Sequence, residues 1–334
     1  MRDFPEIQEL RTSVNLDNIS NNKKKEMLRD LYIYSPTVTN IINAIDEIME
    51  NASSYPEAPG LVVYGRSGVG KSLLCKTYLN NFPRYQSETD EAFQTIVPVL
   101  RTTMPEAARA KSLVTEMLRK ICDPFYMNGR NTITKTGRLL DNIKDCQVKL
   151  IILDEFQHVY ERGSTRITQE VTDWVKDLLD ESHIPILLTG LPTVESIIDS
   201  DEQLKTRFKN RYEISPFNYN TKEDQVAFLT FLEILDMKLP LPKKSNLSDP
   251  KIAYILFEAS GGILRILMMQ IIIPLTIQAI DKSHQRIGIE ELLSKVSKIV
   301  DHNKFDTIKK IVSTEFTKQH KTVKQLDSKK TACK

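Results

Sequence analysis

Short apolar runs alternate with helically spaced apolar stripes from about residue 35 to residue 215, and then the runs stop. The runs are Leu61–Tyr64, Thr95–Leu100, Lys149–Leu153, Pro185–Thr189 and Arg211–Ser215. Each has strand length, and LIIL in the third is apolar at every position, which suits a strand buried on both faces. Pro98 interrupts the second run and predicts an edge position or a shorter strand. Between the runs lie helical patterns. Ser35-Pro36 is an N-cap followed by proline at the first turn, and Val38, Ile41, Ile42, Ile45, Ile48 and Met49 then recur on one face. Other helices are predicted from Pro105 to Ile121, from Arg138 to Ile143, from Gln169 to Glu181 and from Pro192 to Ile198, with Asp123–Lys135 irregular. Strands alternating with helices predict an α/β fold with a five-stranded, mainly parallel sheet.

Beyond Pro216 only helical spacing remains. Thr221-Lys-Glu-Asp224 has the form of a capping box opening a helix to Leu235. Asp249-Pro250 starts another helix, and Gly261-Gly262 separates it from Ile263–Ile280, in which Pro274 should kink or end the helix. Ile289–Val300 and Lys304–Thr317 follow. The expected organisation is an N-terminal extension (1–34), an α/β domain (35–216), a small all-helical lid domain (217–300), and a C-terminal helix with a basic tail (301–334).

Composition adds constraints. The 334 residues are 40% hydrophobic and 27% charged, ordinary for a globular chain, with net charge +2. Charge is uneven: residues 301–334 hold nine Lys against four Asp/Glu, which reads either as a weak nucleic-acid or partner contact or as a solvated end, and the last dozen residues, polar and without periodicity, favour the latter. No run of eighteen apolar residues is present, and MRDFPEIQEL lacks an apolar signal region, so neither a membrane span nor secretion is expected. Cys75, Cys122, Cys146 and Cys333 are scattered without a C-x-x-C pair, which argues against zinc and fits the cytoplasm. Cys75 and Cys122 read as small core residues on helices.

The candidate chemistry begins where the first run ends. Gly65-Arg-Ser-Gly-Val-Gly-Lys71-Ser72 matches the phosphate-binding P-loop. Glycines let backbone N–H groups point at a phosphate, and the following helix turns its positive end to the same anion. Contacts to ATP are expected from Gly65, Ser67, Gly68, Val69, Gly70, Lys71, Ser72 and Leu73. Lys71 reaches the β- and γ-phosphates, and Ser72 offers a hydroxyl to Mg2+. Leu150-Ile-Ile-Leu-Asp154-Glu155 brings two acids to the carboxyl end of a strand expected beside the P-loop strand. Asp154 suits Mg2+, mostly through its waters, and Glu155 suits the base that polarises the attacking water. Thr189 ends the next strand and points to the γ-phosphate or the water. Arg207, with Arg211 as second choice, precedes the fifth strand and suits an arginine finger aimed at a neighbouring subunit's site. Arg265 sits in the first turn of a lid helix, where a cation opposes the helix dipole.

GRSGVGKS, LIILDE, a polar end to the next strand, an arginine before the fifth strand and GGILR in a helical region resemble, in this order, the AAA+ ATPases. The DEFQH continuation (Asp154–His158), ILLTGLP (Ile186–Pro192) and QLKTRF (Gln203–Phe208) resemble the TniB/TnsC branch, the regulators of Tn7-like transposons. The likeness runs from about residue 30 to 280 and is greatest to members from CRISPR-associated, type I-F-like transposons. It implies ATP-dependent rings or filaments on double-stranded DNA that join a TniQ/Cascade-type target-selection complex to the transposase. It also implies hydrolysis as the clock for disassembly. Carried over by motif, Lys71 and Ser72 take the P-loop roles, Asp154 and Glu155 the metal and base roles, Thr189 a sensor role, Arg207 the finger and Arg265 the lid sensor. Thr189 departs from the asparagine common in other AAA+ branches.

DNA contact is expected to be independent of base sequence, since no helix-turn-helix or zinc motif is present. Arg130, Lys135 and Arg138 in NGRNTITKTGR, and Arg101, have the composition of a phosphate-tracking surface. Two other readings stand beside this one: an initiator or helicase-loader ATPase acting on DNA, and a nucleotide-binding scaffold with negligible turnover. Intact Lys71, Asp154 and Glu155 count against the last.

Overall fold

In the computed structural model, residues 19–29, 31–88, 93–105, 109–161, 164–301 and 303–306 are described. The chain divides into a unit spanning Tyr34–Ser215 and a second unit formed by the segment up to Ile33 with the segment from Pro216 onward. The basic tail, most of the expected helix Lys304–Thr317, and Cys333 lie outside the described residues.

In the first unit the strands are β1 (Gly60–Tyr64), β2 (Tyr85–Glu88), β3 (Phe93–Ile96), β4 (Val99–Thr103), β5 (Leu150–Asp154), β6 (Ile186–Gly190) and β7 (Asn210–Glu213). Five of them form a sheet in the order β4-β5-β6-β1-β7, and every pairing in it is parallel. β5 and β6 are buried at every position, as their unbroken apolar sequences require. The sheet's order corrects one expectation. The strand carrying Asp154 does not adjoin the P-loop strand, because β6 lies between them.

The run Thr95–Leu100 is also not one strand. It divides at Pro98 into β3, which pairs antiparallel with β2, and β4, which joins the main sheet. Proline has no N–H for a ladder. Its carbonyl is used instead, accepting the amides of Lys149 at 2.8 Å and Leu150 at 3.2 Å. The register that follows sets Thr103 opposite Asp154.

The helices cover the sheet as their apolar stripes direct. Pro36–Glu50 is capped by the Ser35 hydroxyl and buries Val38, Ile41, Ile42, Ile45 and Ile48. The helix expected from Pro105 is found at Ala110–Lys120, and residues 106–108 are outside the described set. The segment read as irregular, followed by a short helix, is a single helix, Thr132–Asp145. Asn131 caps it by accepting the Thr134 amide, and its first turns bury no apolar side chain, Ile133 being exposed, which hides them from an apolar-spacing test. Cys75 is buried on a helix, but Cys122 is exposed at φ 69°, just past the end of its helix.

The second unit is helical: Asn21–Arg29, Lys222–Lys238, Pro250–Ser260, Leu264–Asp281 and Ile289–Val296. Its core joins Leu28, Phe228, Leu232, Leu256, Leu267, Ile271 and Val296. Asn21–Arg29 is tied in by Asn21 to the Ile280 carbonyl at 3.3 Å and by Lys25 to Asp281 at 2.6 Å. The capping box forms as read, with Thr221 and Asp224 exchanging bonds. Pro274 neither ends nor breaks its helix. The preceding turns, Leu267–Ile272, widen to a π-helix, and the Ile273 amide reaches back to the Met268 carbonyl. The wider turn accommodates a residue that lacks an N–H and crowds the turn before it. Leu264–Asp281 is long and apolar enough to cross a membrane by length and composition. Its buried residues, Leu267, Ile271, Ile272, Leu275, Ala279 and Ile280, belong to the helical core.

Candidate active site

β1 leads into the loop Gly65–Gly70, and the helix Lys71–Asn81 starts directly after it. Gly68 at φ 83° and Gly70 at φ 113° adopt left-handed backbone that a Cβ disfavours. Gly65 is required for a different reason than phosphate approach. A Cβ there would lie 2.1 Å from the Ile214 carbonyl oxygen. Gly65→Ala is therefore expected to destabilise the unit by about 1–3 kcal/mol, a cost typical of overpacking. Denaturant unfolding checks it, and an unchanged midpoint would show that the β7 end simply moves aside.

Lys71 is 6% exposed, and its Nζ donates to the Gly65 carbonyl at 2.7 Å and the Arg66 carbonyl at 3.0 Å. An ammonium has a third donor for a phosphate. Burial pushes its pKa down, while Glu155 and Asp154 pull it up, with a net lowering. Ser67 and Leu73 are exposed beside the loop, and Val69 is buried.

Asp154 is 1% exposed. Its Oδ1 accepts the Thr189 hydroxyl at 2.5 Å and the Glu155 amide at 3.0 Å, and its Oδ2 accepts Arg101 Nη2 at 2.6 Å. Burial pushes this carboxyl up, but the bonds from Thr189 and Arg101, the Arg101 charge and a bond from Ser72 outweigh it. The group is held below the ordinary aspartate range, hence ionised. The nearby Cys75 thiol is pushed up to about 12, chiefly by burial, and stays protonated.

Glu155 stands at φ 58°, left-handed backbone that costs a non-glycine residue of order 1 kcal/mol. Its Oε2 accepts Gln157 Nε2, and its carbonyl accepts the His158 amide at 3.1 Å. Gln157 is 2% exposed, and its Oε1 accepts the Leu191 amide at 3.0 Å. Gly190 makes room for it, since a Cβ there would lie 2.4 Å from Gln157 Oε1. Lys71, Ser72, Asp154, Glu155 and Thr189 are thus brought together at the carboxyl edge of the sheet, where open α/β sheets bind ligands. Left-handed glycines, a helix N-terminus, a buried lysine and an ionised carboxylate beside a hydroxyl suit a triphosphate with a hard, oxygen-seeking cation.

Other expected residues lie elsewhere. Arg101 lies on β4, where it pairs with Asp154. Lys135 is 2% exposed and donates to the Tyr126 carbonyl at 2.6 Å. Arg138 pairs with Asp123 at 2.8 Å. Both brace the turn before their helix rather than facing outward as phosphate contacts, whereas Arg130 is exposed. Arg207 pairs with Asp180 at 2.6 Å and Glu57 at 3.5 Å. Arg211 lies within β7, not before it, and pairs with Asp199 at 2.9 Å. Arg265 is exposed in the helical unit. Gln157 was not singled out by sequence, although its place two residues beyond Glu155 was a usable signal.

Residues 23–217 match the family described as bacterial TniB protein. Among curated proteins no sequence matches the chain. Among solved structures, Cdc6p from Pyrobaculum aerophilum is similar at TM-score 0.58 and 14% identity, covering 83% of this chain and 71% of that one. The ORC1 protein of Aeropyrum pernix, solved in complex with DNA, is similar at TM-score 0.55 and 13% identity, covering 83% and 69%. The ORC2 protein of Aeropyrum pernix, solved as ADPNP–ADP complexes, follows at 0.53 and 14%, covering 84% and 68%. At these identities the likeness is one of fold. With more than half its length in the family match and this sheet order beneath the P-loop, the chain belongs to the TniB family and is an AAA+ ATPase.

Proposed function

We propose that this protein is an ATP-dependent regulator of DNA transposition that oligomerises on double-stranded DNA, without base readout. It links a TniQ/Cascade-type target-selection complex to the transposase, as the TnsC of a CRISPR-associated, type I-F-like transposon, and it acts in the cytoplasm. The observation that carries this reading is the clustering of Lys71, Asp154, Glu155 and Thr189 within a TniB-family chain.

Bound Mg2+·ATP supplies the phosphoanhydride bond and the charge neutralisation its cleavage needs. Lys71 holds the β- and γ-phosphates, while the loop amides from Gly65 to Gly70 and the start of the helix at Lys71–Leu73 cradle them. Ser72 and Asp154 hold the cation. Glu155 orients the attacking water and takes its proton. Thr189 serves this site through Asp154, since its hydroxyl is already spent there. Arg207 completes the site of an adjacent subunit, with Arg211 bracing β7 behind it.

Electron microscopy with ATP and plain duplex DNA tests the assembly. Continuous rings or filaments support the proposal. Isolated hexamers confined to one origin-like sequence would favour an initiator or loader. Arg207→Ala is expected to lower turnover by about 10³-fold in the assembled state. Because Asp180 and Glu57 lose a cation, it should also lower the melting temperature modestly. Equal loss of turnover in dilute, unassembled protein would remove Arg207 from the finger role.

A further inference from the structure

Beside β4 lies a cavity of about 590 Å³, lined by Arg84, Arg101, Lys120, Asn80 and Thr103 together with apolar side chains such as Phe82, and by no carboxylate among the described residues. The volume is that of a small-molecule site rather than a bare-ion site. Its three cations are unequally compensated: Arg101 is ion-paired with Asp154, Lys120 shares Glu116 with Arg119, and Arg84 meets no carboxylate among the described residues. Arg84 is held by the Lys120 carbonyl and the Cys122 sulfur, neither of which cancels its charge. Lys120 lies 3.8 Å from Glu116, a carboxylate that Arg119 already holds through Nε at 2.8 Å. Arg101 gives Nη2 to Asp154, and its buried Nε has no hydrogen-bond partner among the described residues.

Three cations line this space against two carboxylates, one of them shared with Arg119, so an anion entering it meets an excess of positive charge. Guanidinium forks and an ammonium around one space match phosphate oxygens. We propose that this cavity is a second nucleotide-phosphate site, separate from the P-loop, which takes the phosphate of a DNA strand or of a free nucleotide. Arg101 is shared between the cavity and Asp154, so an anion bound here competes for the guanidinium that holds the metal-site carboxylate. Occupancy is thereby coupled to ATP turnover.

The DNA source rests on the function proposed above, whereas the free-nucleotide source does not. The test uses the full chain, loaded with ADP so that the P-loop is filled. It compares wild type with Arg84→Ala/Lys120→Ala, and with Lys120→Gln as the milder variant. Two probes are used: a labelled plain duplex followed by fluorescence anisotropy across a salt series, and dAMP or inorganic phosphate followed by thermal melting. If the source is DNA, the double variant binds duplex at least about tenfold more weakly, and its slope of log affinity against log salt falls by about 1–2. If the source is a free nucleotide, duplex binding is unchanged, but the rise in melting temperature given by dAMP or phosphate is lost. A variant with wild-type melting and basal ATPase that keeps both responses overturns the site. Wild type that fails to bind duplex removes the DNA reading of the function, while the phosphate arm still decides the cavity.

Discussion

Glu155→Gln is expected to reduce ATP turnover by at least about 100-fold, the scale of losing a positioned general base, while nucleotide affinity stays near that of wild type. Glutamine keeps the shape of the side chain, and its amide can still pair with Gln157. What it loses is the ability to accept a proton. Phosphate contacts come from Lys71 and the loop, and the metal carboxylate is Asp154, so the substitution leaves both in place. Assemblies on DNA should consequently form and then persist, visible as slow dissociation from duplex after ATP is withdrawn. A single-turnover measurement gives the rate. A wild-type rate would take the base role from Glu155 and turn attention to its neighbours around Gln157.

Much of this site was legible because each motif carries its own geometry. A Gly-rich loop between an apolar run and a helix has few outcomes, and two acids after LIIL must surface at a strand end. The strands at Leu61–Tyr64, Lys149–Leu153 and Pro185–Thr189 were legible for the same reason, since their apolar runs need no distant partner to be recognised, whereas the run Thr95–Leu100 did not show that Pro98 divides it between two sheets. Their spatial order was not: nothing local to Ile186–Gly190 says that it inserts between β1 and β5. Pairing of charges is likewise a tertiary property. Arg101 meets Asp154 across 53 residues of chain, and Arg207 meets Asp180 and Glu57 from three separate segments. Composition counts cations without saying where they point. For this reason Lys135 and Arg138 read as a DNA surface, although one donates to the Tyr126 carbonyl and the other pairs with Asp123. Of the helix Thr132–Asp145 only the later part, Arg138–Ile143, was legible, because its buried apolar residues are Leu139 and Ile143 and the apolar residue of its first turn, Ile133, is exposed.

Arg101→Met should destabilise the free protein by about 3 kcal/mol at neutral pH, the low end of the cost of breaking a buried ion pair. Asp154 keeps the Thr189 hydroxyl and the Glu155 amide but loses the only cation that touches it among the described residues. The sign of the pH dependence follows from the causes of its shift. In the wild type the carboxyl sits below its unfolded range, so its contribution is present above about pH 4 and is lost as pH falls through the folded value. In the variant, burial is opposed by hydrogen bonds alone, and the carboxyl moves upward. The gap between the two proteins should then be small in acid and widen as pH rises from about 3 towards neutrality. Differential scanning calorimetry across that range, with a chelator present so that no cation replaces the arginine, measures it directly. A gap that is the same at every pH would mean that Arg101 contributes only its packed hydrocarbon stem, and that Asp154 is kept ionised by Thr189 and Ser72 without help.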